Sequence, residues 1–517
     1  MEKEIRIEEE YLYLPVGAGQ AEKMLEIFVR DGRNQKVKVM EFMVPVGKVE
    51  DGLCAYDYLA RIPVKEFMDR TLILEGEVPE EFMEGIRCAS FLPYGRLRRP
   101  AVHYTAERGW INDPNGLVYQ DGTYHLYYQY NPCNTRWNNM SWGHAVSKDL
   151  LHWETKDMVM VPDEDGMIFS GSAIVNERGM LGLPKDALLF FYTAAGSHNL
   201  WSKDKPFVQK MAYSLDHGDH LVKMEEGRLD TICKENRDPK VFWHGESSSY
   251  IMCLWLEKND FAILRSPDLK DWRMSDRFTL AEAWECPDLV RLKGEDGSGQ
   301  WMFWSADGFY YWGDFDGYRF ITDGKRHRTY INKLPYAAQT YSGIEDRVIS
   351  VAWIRSSQEG RLYTGAMGLP RELSVVTDHG EKYLSQKPVK ELKENGELIY
   401  GDIMEELSGK RFSLEKMDGS AVFIDMVIGA EGRPVTEWGV SGIRVGYNID
   451  TGILTVGEDG FEIGKNICDF SFLLDDNIFE VSSNRGIILG VFELPESKQL
   501  IDVDTGQFET FKAYQVN

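Results

Sequence analysis

The sequence places an acidic residue beside a proline at the start of a β-strand pattern three times. Asp113 lies in residues 110–116 (Trp-Ile-Asn-Asp-Pro-Asn-Gly), Asp238 directly precedes a proline, and Glu285 precedes one by two residues. Each acid is followed by two apolar or aromatic runs separated by a turn, which is the pattern of a β-hairpin. Asn, Asp, Pro and Gly are also the usual formers of a surface turn, so one such run alone would indicate only a turn. Because proline is tolerated at the first residue of a strand, the threefold recurrence predicts that each acid lies at the mouth of an equivalent strand.

Two aspartates and one glutamate at one site would suit the hydrolysis of a glycosidic bond. That reaction needs one ionised carboxylate and one protonated carboxyl across the scissile bond. A third acid can bind sugar hydroxyls. Aromatic side chains offer flat apolar walls for sugar rings, although each one taken singly is equally typical of a hydrophobic core. The candidates are Trp110, Trp137, Trp142, Phe169 and Trp312.

The spacing of the strand starts predicts a β-propeller. Asp238 and Glu285 are 47 residues apart (285 − 238), close to the length of one blade. The frame Ser-x-Asp-Leu-x-x-Trp also occurs twice, at residues 147–153 and 266–272. Starts near residues 110, 168, 237, 285 and 336 predict a five-bladed propeller over residues 99–380. The innermost strands of a propeller run along a central channel, so the three acids would converge at one end of it. An open β-sandwich would not explain the repeat.

The residues outside the repeat also alternate as β-strands do, so the predicted fold class is all-β. Residues 1–98 are predicted to form a small, sandwich-like N-terminal β-module, with an arginine-rich linker bounded by prolines at residues 93–100. Residues 381–402 are predicted to form a second linker. Residues 403–517, with short strands and frequent turns, are predicted to form a C-terminal β-sandwich.

The composition argues against several classes of protein. The formal net charge of −25 disfavours binding to nucleic acid or an anionic membrane, because both select basic surfaces. No apolar run approaches the length of a membrane span. Seven scattered cysteines without a Cys-x2-Cys pair are typical of free thiols in a reducing compartment, and Cys286 is interpreted as a packing residue. The charged N-terminus lacks the apolar core of a secretory signal, which favours the cytoplasm, or secretion if a leader has been removed. A homo-oligomer is compatible with the sequence, and no metal site is predicted.

Taken together, the motifs resemble glycoside hydrolase family 32, the β-fructosidase family of invertases, levanases and inulinases. The resemblance rests on residues 110–116, 169–172 (Phe-Ser-Gly-Ser), 237–239 (Arg-Asp-Pro), 285–288 (Glu-Cys-Pro-Asp) and 336–340 (Tyr-Ala-Ala-Gln-Thr), in this order. It implies a five-bladed propeller followed by a β-sandwich, a carbohydrate substrate, and no metal or cofactor. It further implies a retaining mechanism in which Asp113 is the nucleophile, Glu285 the general acid and then the base, and Asp238 the transition-state stabiliser. The implied fructose pocket contains Asn112, Gln129, Trp137, Phe169, Ser170 and Arg237. Trp312 is predicted to form a further aromatic wall of this pocket.

The favoured interpretation is an exo-acting fructan β-fructosidase that releases terminal fructose from fructans or fructo-oligosaccharides. An invertase acting on sucrose and short fructo-oligosaccharides, or a fructosyltransferase, would use the same three acids. Inverting arabinan-degrading enzymes also combine five blades with three acids, but the run at residues 110–116 argues against them. A non-catalytic fructan-binding propeller belongs to a different class, and the presence of all three acids argues against it.

The flanking modules also resemble parts of the family. The N-terminal module resembles a β-domain that precedes the catalytic domain in some levanase-like members. Residues 475–481 resemble a late strand of the family sandwich, but the turn after them differs, so the resemblance gives no support for a substrate contact from this module.

Overall fold

β-Strands make up nearly all of the regular structure. The structure is a computed structural model that describes residues 1–92, 97–358, 360–403, 411–415, 419–429, 435–495 and 500–517. Paired sheets lie at either end of the chain, with five consecutive sheets between them. The predicted all-β fold with a propeller and a C-terminal sandwich is therefore confirmed. In the described parts of the chain, no helix has the length and apolar character needed to cross a membrane.

The N-terminal module consists of two sheets that share one hydrophobic core. Alternate residues of each strand point into this core, as along Glu22–Arg30, because successive side chains of a strand lie on opposite faces. In chain order the elements are β1 (Glu2–Arg6), β2 (Tyr11–Val16), β3 (Glu22–Arg30), β4 (Lys36–Pro45), β5 (Val49–Glu50), β6 (Leu53–Cys54), β7 (Tyr58–Pro63), β8 (Thr71–Gly76), α1 (Glu80–Gly85) and β9 (Arg87–Ala89). The sheet orders are β1-β8-β3-β4 and β7-β2-β9, with β5 and β6 as a separate pair. Of the predicted first linker, residues 93–96 lie outside the described residues, and residues 97–100 have no regular secondary structure.

Five antiparallel sheets follow, one for each predicted blade. The first contains β10 (Gly109–Gln120), β11 (Thr123–Asn131), β12 (Ser141–Ser147) and β13 (Trp153–Thr155), and the second β14 (Met167–Val175), β15 (Leu188–Ala195), β16 (Phe207–Ser214) and β17 (Val222–Leu229). The third contains β18 (Arg237–His244), β19 (Ser249–Glu257), β20 (Asp260–Ser266) and β21 (Arg273–Thr279), and the fourth β22 (Asp288–Lys293), β23 (Gly299–Trp304), β24 (Phe309–Phe315) and β25 (Phe320–Arg328). The fifth region contains β26 (Pro335–Thr340), β27 (Val348–Ile354), β28 (Tyr363–Thr364), β29 (Ala366–Met367), β30 (Arg371–Asp378) and β31 (Glu381–Pro388).

The first strands of the sheets adjoin one another in four pairs. Strand β10 contacts β14 and β26, β14 contacts β18, and β22 contacts β26. Strand β28 leaves the fifth region to pair in parallel with β10, so the last part of the ring is joined to its first strand.

The predicted linker at residues 381–402 differs from the structure. Its first part is β31, the outer strand of the fifth sheet, which pairs with β30 along its whole length. The two strands are joined at His379 and Gly380, both of which have a positive φ, the backbone of a tight hairpin turn. Between β31 and the sandwich remain only a short helix and its flanking residues.

The C-terminal module is a sandwich of two six-stranded sheets around a common core. After α2 (Glu391–Glu394) come β32 (Glu397–Ile403), β33 (Arg411–Glu415), β34 (Ala421–Ile428), β35 (Val435–Val440), β36 (Ile443–Asn448), β37 (Ile453–Val456), β38 (Asp459–Glu462), β39 (Asp469–Asp475), β40 (Ile478–Ser483), β41 (Ile488–Glu493), β42 (Leu500–Asp504) and β43 (Phe508–Val516). The sheet orders are β32-β43-β34-β39-β40-β41 and β33-β42-β35-β36-β37-β38. Short 3-10 turns occupy Lys65–Phe67, Met180–Gly182, Asn484–Gly486 and Thr505–Gln507.

A buried cluster of charged groups joins this sandwich to the propeller. His103, just before the first blade, lies 2.9 Å from an Asp475 oxygen through Nδ1 and 3.0 Å from a Glu480 oxygen through Nε2. Arg371, at the start of β30, also pairs with Glu480. Burial alone would lower the pKa of His103, but the two carboxylates raise it to about 9. The strand in residues 475–481 that resembles the family pattern thus anchors the sandwich to the propeller.

Candidate active site

Four of the five first strands carry a β-bulge at the same place, near the mouth of the channel. The register shifts between Ile111 and Pro114 in β10, between Phe169 and Gly171 in β14, between Arg237 and Lys240 in β18, and between Tyr336 and Gln339 in β26. A bulge adds one unpaired residue and redirects its side chain. Asp113, Ser170 and Asp238 lie inside three of these bulges, so the same local irregularity turns each of them toward a common point.

The backbone is strained where the other acids lie. Asp238, Glu285 and Cys286 have φ values of 65°, 33° and 44°, in the left-handed region that non-glycine residues seldom adopt. Two hydrogen bonds hold this geometry: the Asp238 N–H donates to Thr193 Oγ1 at 3.1 Å, and the Cys286 N–H donates to Asp238 Oδ2 at 3.1 Å. Backbone strain of this kind is concentrated at functional sites, where the surrounding structure stabilises it.

Asp113 is set up to accept hydrogen bonds. Ser170 Oγ donates to its Oδ2 at 2.7 Å. Burial, followed by the negative charge of Glu285, raises the pKa of Asp113, while hydrogen bonds from Ser170 and Asn112 act in the opposite direction. Asn112 is itself oriented, because its Oδ1 accepts a 2.8 Å hydrogen bond from Trp110 Nε1. The neighbours of Asp113 therefore offset part of the cost of keeping it ionised.

Asp238 is 7% exposed and lies between charges of both signs. Burial raises its pKa to about 7, with Glu285 and Asp113 acting in the same direction and the Arg237 guanidinium opposing them. Arg237 Nε is 3.7 Å from Asp238 Oδ2. The Asp238 carboxyl thus changes charge close to neutral pH.

Glu285 is held by two donors on its two oxygens. Arg237 donates to Oε2 through both Nε and Nη2, and the Tyr336 hydroxyl donates to Oε1. Burial, followed by the charge of Glu285, raises the pKa of Tyr336, so the phenol remains a donor. The Arg237 guanidinium also lies 4.0 Å above the centre of the Trp255 ring, which fixes its plane.

Cys286 contacts two of the acids, which the sequence did not reveal. Its Sγ is 3.6 Å from Asp113 Oδ2 and 3.5 Å from Asp238 Oδ2. Burial, followed by the charges of Asp238 and Asp113, raises the pKa of this thiol well above its usual value. A protonated thiol is a poor nucleophile, so Cys286 acts here as a small spacer and weak donor between the carboxylates.

These groups line a cavity of about 320 Å³. All three predicted acids and six of the seven predicted pocket residues are in its wall: Asn112, Asp113, Gln129, Trp137, Phe169, Ser170, Arg237, Asp238 and Glu285. Gln129 is oriented by a 2.9 Å hydrogen bond from its Nε2 to the Ile168 carbonyl. The wall also contains His198, Phe207, Glu235, Tyr336 and Trp353, none of which was predicted as a pocket residue. Of these five residues, Tyr336 does have a signal in the sequence, because it is the first residue of the family-like motif at residues 336–340.

Trp312 was predicted in the sugar pocket, and the structure instead places it between two blades. It lies on β24, the third strand of the fourth sheet, and its Nε1 donates to the Lys382 carbonyl of the fifth sheet at 3.0 Å. Its side chain lies against the fifth sheet and is not in the wall of the cavity, whereas Phe207, the first residue of another third strand, is in that wall. Of the other candidate aromatic walls, Trp142 is fully buried in the core, and Trp110 packs against Trp353 with ring centres 5.8 Å apart.

Among the described residues, no three His, Cys, Asp or Glu side chains are grouped in a way that could hold a metal ion. The chemistry available to this cavity is that of three carboxyl groups in different environments. One accepts hydrogen bonds from a hydroxyl, one is paired with an arginine and a phenol, and one titrates near neutral pH.

Comparison with known proteins finds several relatives. The curated relatives include an extracellular exo-inulinase of Aspergillus awamori, 32% identical over 57% of this chain and 65% of its own length. A levanase of Bacillus subtilis is 34% identical over 58% of this chain and 48% of its own length. An invertase of Debaryomyces hansenii is 35% identical over 56% of this chain and 59% of its own length. The chain thus spans about half to two thirds of the length of these three relatives.

Solved structures share the fold. A crystal structure of the Aspergillus awamori exo-inulinase superposes with a TM-score of 0.70 at 24% identity, covering 82% of this chain and 99% of that one. A glycoside hydrolase family 32 structure from Bifidobacterium adolescentis superposes with a TM-score of 0.65 at 19% identity, covering 99% of each chain. The sequence model described as the glycosyl hydrolases family 32 N-terminal domain matches residues 103–388, which are the five sheets and the residues leading into them. The chain belongs to glycoside hydrolase family 32.

Proposed function

We propose that the chain is a retaining glycoside hydrolase that releases terminal β-D-fructose from fructans or fructo-oligosaccharides. The observation that carries the proposal is the convergence of three carboxyl groups with different hydrogen-bond partners in one cavity. The names of its relatives, exo-inulinase, levanase and invertase, support a fructose-containing substrate.

In this mechanism Asp113 attacks the anomeric carbon of fructose and forms a covalent ester. Its hydrogen bonds from Ser170 and Asn112 stabilise the ionised form that attack requires. Glu285 gives a proton to the departing oxygen and later takes one from water, as the same residue does in other retaining glycosidases. The Tyr336 hydroxyl and Arg237 keep both oxygens of Glu285 in place during this exchange.

Asp238 stabilises the transition state in this proposal. Its carboxylate accepts hydrogen bonds from fructose hydroxyls, and such bonds are stronger when the acceptor is charged. Trp137 and Phe169, with ring centres 6.0 Å apart, form an apolar wall for the sugar ring. The cavity volume of about 320 Å³ is at the small end for ligand pockets, which favours one sugar unit at the acids and release from a chain end.

The experiment incubates the purified protein with sucrose, inulin and levan in parallel and identifies the released sugars. We expect free fructose from the fructans, and nuclear magnetic resonance of the first product should show the same anomeric configuration as the substrate. Inverted fructose would exclude Asp113 as a nucleophile. Failure to release fructose from any of the three substrates, while an oligosaccharide still binds, would favour a fructan-binding propeller.

An invertase is the second candidate, favoured by the invertases among the relatives. It predicts a much higher kcat/KM for sucrose than for inulin or levan. A fructosyltransferase predicts longer products at high sucrose concentration, because a second sugar rather than water captures the ester. The predicted cytoplasmic location gains no support from the relatives, since the Aspergillus awamori exo-inulinase is named extracellular.

A further inference from the structure

Two irregular loops form one side of the carboxylate cavity. Residues 132–140, between β11 and β12, carry Trp137, and residues 196–206, between β15 and β16, carry His198. The His198 ring packs edge-on against Phe169 and Phe207, with centres 5.2 and 5.1 Å apart. Trp137 is 46% exposed and His198 is also exposed, so these two side chains form the rim of the cavity.

The N-terminal module holds both loops through carboxylates on one face of its outer strand pair. Glu22 accepts hydrogen bonds from the side-chain amides of Asn134 and Asn138, each at 2.7 Å. Glu41, which is 3% exposed, accepts a 3.1 Å hydrogen bond from the Trp201 N–H. These contacts tie the first loop to β3 and the second to β4, so the module helps to position the two loops that carry the rim of the cavity.

The first loop is also attached to the backbone of β4. The Asn139 side chain accepts from the Met43 N–H at 2.8 Å and donates to the Met43 carbonyl at 2.9 Å. An amide used in this way continues the hydrogen-bonding pattern of the sheet edge. The module is therefore fixed to the propeller in one orientation next to the acids.

A second cavity of about 310 Å³ lies between this face and the two loops. Met24 and Met43 are directly opposed on β3 and β4 and form an apolar ledge in it. Its wall also includes Glu41, Asn138 and the largely exposed Leu200, and His198 belongs to both cavities. The two cavities are therefore adjacent and share His198 as a wall residue. We call it the ledge site.

The ledge site has the chemistry of a sugar-binding site. Thioether and leucine side chains suit the apolar C–H face of a sugar ring. An ionised carboxylate has about four lone-pair positions, and Glu41 uses one oxygen for Trp201 and the other for Lys38 at 2.9 Å, so it retains acceptor capacity for hydroxyl groups. The acidic chain as a whole favours a neutral ligand over an anionic one.

We propose that the ledge site binds the sugar units that follow the terminal fructose of an oligomeric fructan. The proposal rests on the proposed function and deepens it: the N-terminal module makes the enzyme prefer chains over sucrose. A disaccharide reaches little beyond the carboxylate cavity, whereas a longer chain passes His198 and lies on the Met24–Met43 ledge.

The test replaces Met24 and Leu200 together with alanine. Neither side chain lines the carboxylate cavity, and Leu200 is 68% exposed, so the fold should be retained. We expect kcat/KM for a fructan tetrasaccharide to fall about ten-fold, the scale set by losing apolar contacts in a binding site, while kcat/KM for sucrose stays within about two-fold. Ile321→Ala is the matched control, because Ile321 is an exposed aliphatic side chain on β25, the outer strand of the fourth sheet.

Two outcomes would overturn the ledge site: an equal loss on sucrose and the tetrasaccharide, or no loss on either. Calorimetry with the Asp113→Asn variant separates this failure from failure of the proposed function. In that background, the tetrasaccharide should bind more weakly when Met24 and Leu200 are alanine, whereas free fructose should bind unchanged. If the unmodified protein hydrolyses neither substrate, the proposed function fails, and this binding measurement still decides whether the ledge site exists.

Discussion

Replacing Ser170 with alanine removes the shortest hydrogen bond to the proposed nucleophile. Ser170 Oγ donates to Asp113 Oδ2 at 2.7 Å from a position that is 6% exposed. This bond favours the ionised carboxylate and so lowers the pKa of Asp113 against the effect of burial. A hydrogen bond to a charged group contributes about 1.5–3 kcal/mol, and its loss would reduce the ionised fraction of Asp113 by a factor of roughly 10–100 where the group is mostly protonated.

The expected result is a displaced acid limb in the pH profile of kcat/KM. Because the pKa of Asp113 rises in Ser170→Ala, the limb moves to higher pH. At low pH the variant should have about one tenth of the wild-type kcat/KM or less, and at high pH the two should converge. Asp113 and Asp238 interact, so the limb reports their apparent joint titration rather than either group alone.

The assay is initial-rate fructose release from sucrose or a short fructo-oligosaccharide across the pH range in which the protein stays folded. Ser342→Ala is the matched control, since it also removes a hydroxyl near the channel, but one that donates to the Ala173 carbonyl at 2.6 Å and not to an acid. A loss of activity in Ser170→Ala that is the same at every pH would refute the reasoning. An identical displacement in Ser342→Ala would do so as well.

Three further predictions concern the acids and the buried histidine. Asp113→Asn should lower kcat by several orders of magnitude with an unchanged thermal unfolding temperature, and near-normal kcat in this variant would remove Asp113 from the nucleophile role. Glu285→Ala should lose most of its activity on sucrose. With an activated leaving group, which needs no proton, the rate of the glycosylation step should fall far less, as measured by the pre-steady-state burst. Equal losses on both substrates would show that another residue is the general acid. His103→Gln should lower the unfolding temperature at neutral pH. Because the pKa of His103 is raised to about 9, its contribution to stability is complete below 6.5, the ordinary value, and is lost as the pH rises through about 9. The wild-type unfolding temperature should therefore approach that of His103→Gln above pH 9, and a constant difference between them would contradict this assignment.

The position of the three acids could be predicted because their signal is local. An acid beside a proline recurs before an apolar run, and the bulges that redirect two of the acids occur within the same few residues; Pro114 lies inside β10 and not at its start. The prediction of five blades rests on the same repeat. Cys286 was interpreted as packing because its contacts are with residues far away in sequence: 173 positions separate it from Asp113.

The remaining pocket residues depend on contacts that no local pattern encodes. His198 lies in a polar loop, and its place at the rim is set partly by the N-terminal module, through Trp201 and Glu41. Trp353 lies on β27, where an aromatic residue is typical of a core strand. Trp312 had the same sequence character but lies on a third strand, facing a neighbouring blade. Which aromatic side chains line the cavity depends on where each one lies along its strand or loop, since the wall includes Trp353 from a second strand, Phe207 from a third strand and Trp137 from a loop.

The parallel pair between β10 and β28 has a consequence for how the chain is made. It joins Gly109 to Tyr363, and a second bridge joins Val118 to Ser342. During synthesis the first blade leaves the ribosome long before Tyr363 or Ser342. One edge of its innermost strand therefore remains unpaired while the intervening blades are translated. Unpaired edges recruit other chains, and pairing between distant segments is slow. Pairing of β28 with β10 therefore competes with strand exchange between chains in the nascent protein. The yield of native protein should depend on translation speed and chaperone supply more than on the stability of any single blade.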